Sequence, residues 1–163
     1  MLKAQLQSDL NAALKQGAVL KRSVLGMVLT AVKNKELAKR GQLSKTITTQ
    51  SELESQSQLV DAEVLAVLAS EVKKRQEASA QFSAAGRAEL ADKEKQEMAI
   101  LLSYLPAQLD EAAIRAAVRA AISRTGAKDI KAMGKVISAV MAELKGQAAG
   151  GTVSRLVKEE LSK

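Results

Sequence analysis

The segment VLKRSVLGMVLTAVKNKELAKR, residues 19–40, decides the fold class of this chain. Its middle part, residues 24–32, is apolar over most of the circumference that a helix would present. This pattern predicts a central helix that is buried on most sides and that ends at Gly41. Valine and isoleucine are scattered among leucine, alanine, lysine and glutamate instead of alternating with polar residues, so we expect no strands.

Six further helices are indicated by apolar residues that recur every three or four positions on both sides of this segment. They are expected at residues 2–16, 61–85, 87–105, 110–126, 130–145 and 152–161. Four of the residues that we expect to face inward are Leu14, Met27, Leu90 and Leu102. Residues 44–60, rich in serine, threonine and glutamine, are predicted to form a polar connection or a loose helical extension.

The single proline, Pro106, is the predicted domain boundary. Asp110 follows it as a good N-cap, and the preceding Leu109 can pack on Ile114 as a hydrophobic staple. Gly150-Gly151 is expected to turn the chain before a last helix that is capped by Thr152. The prediction is an all-α, multihelical protein. Its N-terminal domain, residues 1–105, has four longer helices and the polar insertion; its small C-terminal domain, residues 106–163, has three.

The side-chain inventory excludes several kinds of chemistry. Among 163 residues there is no cysteine and no histidine, so thiolate nucleophiles, imidazole catalysis and Cys/His metal sites are ruled out. One tyrosine, one phenylalanine and no tryptophan leave no broad platform on which nucleic-acid bases could stack. No phosphate-binding glycine loop is present. The residues therefore argue against an enzyme in its own right, and we expect no cofactor and no metal.

Two groups of charged residues are expected to lie on exposed helix surfaces. Glu94 and Glu97, one turn apart, would do acid–base work only inside a cleft that shifts their pKa values. The run Lys73-Lys74-Arg75 is flanked by glutamates at positions 71 and 77, which is typical of ion pairing along a helix surface.

Positive charge is concentrated in the first third of the chain. Residues 1–51 carry nine lysines and arginines against two acids, within a net charge of +7 for the whole chain. Arg22, Lys33 and Arg40 are spaced by 11 and 7 residues, so on a helix they fall within about 20° of one another. Their row would be about 27 Å long. It could touch several phosphates of an RNA, or it could be an ordinary solvated polar face.

No segment of the sequence is typical of a membrane protein or of a secretory signal. Polar residues interrupt the N-terminal 17 residues at every third or fourth place, unlike a secretory signal. The longest uncharged apolar stretch, residues 23–32, is well short of the roughly 20 residues of a spanning helix. We expect a cytoplasmic protein without a membrane partner.

Several segments resemble the YqeY family, a group of small helical proteins similar to the C-terminal tail of the GatB subunit of tRNA-dependent amidotransferases. They are VKNKELAKRGQL (32–43), EVLAVLASEVKKRQEA (63–78), AGRAELADKEKQEMAILLSYLPAQL (85–109), MGKVI (133–137), GQAAGG (146–151) and VSRLVKEEL (153–161). The most specific pieces surround Tyr104 and Pro106, and Gly134. Gly146 opens a turn in which Gln147 and Ala149 replace the arginine and aspartate that are usual in the family.

The resemblance implies an all-helical protein whose tail module docks onto tRNA while separate catalytic subunits transfer ammonia to a mischarged aminoacyl group. The domains that handle ATP and glutamine are not in this chain, so carbon–nitrogen ligase activity would need partner subunits. Basic residues around the family turn join the row of residues 22, 33 and 40 as candidate nucleic-acid contacts. They are Lys135, Lys145, Arg155 and Lys158.

Two functional hypotheses follow, from different classes. The first is a non-catalytic helical adaptor that contacts tRNA or an aminoacyl-tRNA-processing complex, mostly through phosphates and shape. The alternative is a protein–protein interaction module without nucleic acid, which would use the acidic middle of the chain and residues 44–60.

For Gly134, inside a predicted helix, close helix packing, a helix start and exposure of backbone to a ligand are all compatible with the sequence.

Overall fold

The computed structural model describes residues 1–127 and 129–162, and every regular element within them is a helix. The prediction of an all-α, multihelical protein is therefore confirmed. The α-helices are α1 (Leu2–Lys15), α2 (Val19–Leu43), α3 (Gln50–Ser57), α4 (Asp61–Ala84), α5 (Ala88–Leu102), α6 (Glu111–Thr125), α7 (Met133–Leu144) and α8 (Gly150–Leu161). One 3-10 turn, Ile130–Ala132, precedes α7. None of the described helices is both long and apolar enough to span a bilayer.

The chain forms two compact units, Met1–Tyr104 and Leu105–Lys163, called here the N-terminal and C-terminal units. In the N-terminal unit, α2 packs against α1, α3, α4 and α5, and α4 pairs closely with α5. Val24, Leu25, Val28 and Val32 of α2 have no exposed surface. Burial of these side chains, at about 1.5–3 kcal/mol each, makes α2 the centre of the unit, as its sequence predicts.

The polar segment 44–60 contains a fifth helix of the N-terminal unit, α3, which the prediction of four helices omits. Its composition is hydrophilic, but Leu53, Ser57 and the following Leu59 are buried. These side chains hold the segment against α2, so it is neither a free connection nor a loose extension of its neighbours.

Several predicted helix ends are wrong. Gly41 lies inside α2, which continues to Leu43. Gly150 and Gly151 form the first turn of α8, and the extended residue before them, Ala149, serves as the N-cap. Thr152 is therefore already helical and does not cap the helix. The predicted helix ends that are confirmed have either a side chain that accepts a backbone hydrogen bond or a glycine in the left-handed conformation.

Asp110 is such a cap, because its carboxylate accepts a hydrogen bond of 2.7 Å from the backbone N–H of Ala113. Among the inward-facing leucines that were predicted, Leu14, Leu90 and Leu102 are 40–51% exposed. All three lie in the first or last turn of a helix, where fewer neighbours cover the side chain. Met27 is also wrong as a core residue, since 42% of it is exposed on α2.

The C-terminal unit is a three-helix arrangement in which α6, α7 and α8 each pack against the other two. Its core is built from valines, leucines and one isoleucine that recur every three or four residues. They are Ile114, Val118, Val136, Val140, Leu144, Val153, Leu156 and Val157. Leu109, the staple residue, packs against this core, of which Ile114 is a member.

Candidate nucleic-acid interface

The predicted row of cations lies on one unbroken helix, α2, so its three members do share a face. Arg22 and Lys33 are exposed, and neither forms an ion pair with any residue that the structure describes. Arg40 is about one third exposed, and its guanidinium lies 3.7 Å from the Glu54 carboxylate of α3. The row is thus two unpaired cations followed by one that an acid partly neutralises.

The acidic side chain of α2, Glu36, points into the N-terminal unit and not toward this row. Its carboxylate accepts a hydrogen bond of 2.6 Å from Lys3 Nζ and one of 3.2 Å from the backbone N–H of Leu59. Burial raises the pKa of Glu36, but the bonds from Lys3 and Leu59 outweigh it, so the pKa lies below its ordinary value. Glu36 follows Leu25 by 11 residues and therefore shares its buried face, a signal that was readable in the sequence.

Another buried pair was missed by the sequence analysis. Arg75 of α4 and Glu97 of α5 lie 3.1 Å apart, and both side chains are less than one tenth exposed. The expectation that each lies on an exposed helix surface is wrong. Arg75 follows Val64 and Leu68 by 11 and 7 residues, which places it on their buried face. Glu97 is consequently bound to a cation and does not line a cleft.

The arginines of the C-terminal unit are used internally. Across α6 and α8 they form one network of ion pairs with N–O distances of 2.6–3.1 Å; its members are Glu111, Arg115, Arg119, Arg155, Glu159 and Glu160. The remaining arginine, Arg124, pairs with Glu143 of α7 at 3.0 Å. Arg155, a predicted nucleic-acid contact, is therefore held by two carboxylates.

Hydrogen bonds within this network shift the pKa values of its members in the expected directions. Those from Arg155 and Arg115 lower the pKa of Glu111, and those to Glu111 and Glu159 raise the pKa of Arg155. The shifts favour the charged form of both groups. The network joins α6 to α8 and leaves these arginines less available to an external anion.

The lysines of the C-terminal unit behave differently from the arginines. Lys131, Lys135, Lys145 and Lys158 are exposed, and none of them forms an ion pair within the described part of the chain. Three of these four were predicted as candidate contacts. The solvent-facing positive charge of the unit is consequently carried by lysine ammonium groups.

The family-like motifs around Tyr104, Pro106 and Gly146 have structural roles. The Tyr104 hydroxyl donates a 2.6 Å hydrogen bond to Asp9, and burial together with this bond raises the tyrosine pKa above its usual value. In the C-terminal unit, Gln108 Nε2 donates to the carbonyl oxygens of Pro106 (3.1 Å) and Gly146 (2.9 Å). The segment after Pro106 is thereby fastened to the turn between α7 and α8.

Gly134 does not mark a close approach of two helices. It is exposed in the first turn of α7, and a Cβ added there would meet no atom within 4 Å. Of the sequence-based explanations, close packing is wrong, and a helix start fits the position. Lys145, just after α7, adopts a left-handed conformation with φ of 43°, and Gly146 follows with φ of 87°.

The comparison with known families covers nearly the entire chain: the family described as "Yqey-like protein" matches residues 3–161. The chain belongs to the YqeY-like family. No curated protein matches it significantly. Family membership agrees with the all-α architecture. Of the most specific motif residues, Tyr104 lies in the N-terminal unit, and Pro106 and Gly134 lie in the C-terminal unit.

Proposed function

We propose that this YqeY-like protein is a non-catalytic helical adaptor that contacts tRNA or an aminoacyl-tRNA-processing complex. One observation carries the proposal. In the C-terminal unit the arginines are engaged in ion pairs, whereas Lys131, Lys135, Lys145 and Lys158 are exposed and unpaired within the described residues. An excess of unpaired ammonium groups is the electrostatic requirement for binding a polyphosphate.

The chemistry of this surface favours contact with the RNA backbone over reading of bases. Lysine binds a phosphate as a point charge, without the two-pronged geometry by which arginine selects guanine. The chain has one tyrosine, and its hydroxyl is bonded to Asp9. Binding should therefore follow RNA shape and charge, with weak dependence on sequence.

Salt titration tests this mechanism directly. If the four lysines each neutralise one phosphate, they should contribute about −3 to −4 to the slope of the logarithm of the tRNA affinity against the logarithm of salt concentration. The measurement is fluorescence anisotropy of a labelled, unmodified tRNA transcript with the full chain, from 50 to 200 mM salt. An affinity that does not respond to salt would refute the proposal.

A triple variant, K135Q/K145Q/K158Q, should weaken tRNA binding by about tenfold or more and should make the salt slope shallower. Its matched control is K73Q/K74Q/K95Q, which lowers the net charge equally. Those control lysines are exposed on α4 and α5 and already pair with Glu77, Glu71 and Asp92, respectively. Equal loss of affinity in both variants would mean that only net charge matters.

A groove between α2 and α4 favours the alternative of a protein-interaction module. The groove has a volume of about 520 Å³, and its lining combines the apolar Ala31, Ala38, Ala66 and Val67 with polar and charged side chains. Pull-downs from extracts with and without nuclease separate the two functions, because a protein partner that is retained after nuclease treatment would favour this alternative.

Turnover of glutamine or ATP by the purified chain would instead support a ligase activity.

A further inference from the structure

We propose that one face of α2 in the N-terminal unit docks the sugar–phosphate backbone of a structured RNA. The residues of this face, called the outward α2 face, lie within about 100° of one another on the helix. From the start of α2 as far as Leu37, they are Val19, Arg22, Ser23, Gly26, Thr30, Lys33 and Leu37. The inference rests on the proposed function and adds to it a second, separate surface with a defined mode of contact.

Charge is the first argument for this occupant. The outward α2 face carries two cations, Arg22 and Lys33, and no acid. The one acid of α2, Glu36, is turned inward and is satisfied by Lys3 and a backbone N–H. Of the other basic residues of α2, Lys39 pairs with Glu63 at 3.0 Å and Arg40 lies near Glu54. Lys21 and Lys35 are exposed but lie on other faces of the helix.

Shape is the second argument. Arg22 and Lys33 are separated by 11 residues, or about 16 Å along the helix axis. Between them lie only small side chains, and a Cβ added to Gly26 would meet no atom within 4 Å. Packing within the unit therefore gives no reason for a glycine in the middle of a helix, where glycine is unfavourable. The space beside it admits an RNA backbone between the two cations.

Other occupants fit this face less well. A second copy of the chain would bring cations against cations, with no acid on either face to offset the repulsion. A lipid surface would require a continuous apolar stripe, but Ser23, Gly26 and Thr30 separate the exposed Val19 from the exposed Leu37. A polyanion without a deep binding pocket is the partner whose chemistry matches.

The experiment compares two kinds of change to the outward α2 face in the full chain, with the labelled tRNA transcript as the probe. R22Q/K33Q removes the two charges, and G26L fills the space between them. Each variant should weaken binding by about tenfold, and R22Q/K33Q should make the salt slope shallower by about 2. G26L should keep or raise the Tm, because leucine favours the helix and a Cβ at position 26 meets no atom within 4 Å.

The combined variant R22Q/G26L/K33Q distinguishes a shared docking site from independent effects. If G26L acts by keeping the RNA away from the two cations, the triple variant should have the same tRNA affinity as whichever of R22Q/K33Q and G26L binds more weakly. The matched controls are K73Q/K95Q, which removes two charges from ion-paired lysines, and A80L, which adds leucine at an exposed alanine of α4. Both should bind like the unaltered protein.

The outcomes separate this inference from the proposed function. Absence of tRNA binding by the unaltered protein would refute both. Binding that K135Q/K145Q/K158Q weakens while R22Q/K33Q and G26L leave it unchanged would refute only the outward α2 face. If sedimentation shows a dimer for the unaltered protein and a monomer for G26L, the face is an interface between two copies and the inference is overturned. The same holds if R22Q/K33Q no longer binds anionic phospholipid vesicles but binds tRNA as the unaltered protein does.

Discussion

At the scale of single residues, the buried charges of the N-terminal unit are its most demanding feature. Arg75 and Glu97 are paired at 3.1 Å, and the same guanidinium contacts Met27 Sδ at 3.8 Å. Arg75 Nε is buried and has no hydrogen-bond partner among the described residues. Removing two charges from water costs several kcal/mol per ion, and an unsatisfied donor adds to that cost.

We therefore expect that Arg75→Met lowers the free energy of unfolding by about 3–5 kcal/mol, because Glu97 is left as an unpaired buried charge. The double variant R75M/E97M should recover most or all of that loss. Urea denaturation of the two single variants and the double variant gives the comparison. A double variant that remains several kcal/mol less stable than the unaltered protein would show that the pair itself is a net source of stability.

Glu36 makes a different prediction, which concerns pH. Its pKa in the folded protein lies below the ordinary value of 4.5, so the unfolded state binds a proton at higher pH than the folded state does. The stabilisation is present above about pH 4.5 and is lost as pH falls through the folded pKa. Glu36→Gln should cost about 2 kcal/mol at neutral pH and make stability less dependent on pH below 4.5.

The measurement is the urea midpoint at pH 7, 4 and 3 for the unaltered chain and for Glu36→Gln. Glu63, Glu111 and Glu159 also have lowered pKa values, so the unaltered chain should lose stability in acid for several reasons. The difference between the two proteins isolates Glu36. Parallel pH curves would contradict the assignment.

At the scale of elements, helix positions were predictable from the sequence to the extent that apolar periodicity determines them. The same periodicity places Glu36 and Arg75 on buried faces, although their charge suggested exposure. α3 could not be predicted in this way, because its polar composition hides the contacts of Leu53 and Ser57 with the rest of the unit. For α3, contacts between distant residues and not the local pattern decided the outcome.

The end of α7 offers a prediction at this scale. Lys145 occupies the left-handed conformation that disfavours residues with a Cβ by about 1–2 kcal/mol. Lys145→Gly should stabilise the C-terminal unit by about 1 kcal/mol while removing one of its exposed charges. Lys158→Gly, inside α8, is the matched control and should destabilise by about the same amount. Thermal unfolding compares them, and destabilisation by both would rule out the conformational argument.

At the scale of the whole molecule, the chain consists of two compact units, and the C-terminal unit has its own core around Val136 and Val140. The predicted boundary between the two domains follows residue 105, and the boundary between the two units follows Tyr104. The candidate nucleic-acid contacts fall in both units. Their common property is exposure, and the sequence could not show which cations were already paired, because the acids that pair them are distant in the chain.

We expect Val140→Ala to destabilise the C-terminal unit by about 2 kcal/mol through a cavity in its core. Amide hydrogen exchange should then rise more in α6, α7 and α8 than in α2. The exposed Ser138→Ala on α7 is the control and should change neither. A uniform rise over the whole chain would mean that the two units open together.

The division of labour between arginine and lysine in the C-terminal unit has a chemical consequence. Guanidinium groups hold α6 to α8, whereas primary amines carry the outward charge. Acylating reagents attack amines and leave guanidinium intact, and they abolish the positive charge of the amine. Treatment with such a reagent would therefore discharge the surface of this unit while the pairs that hold its helices together persist.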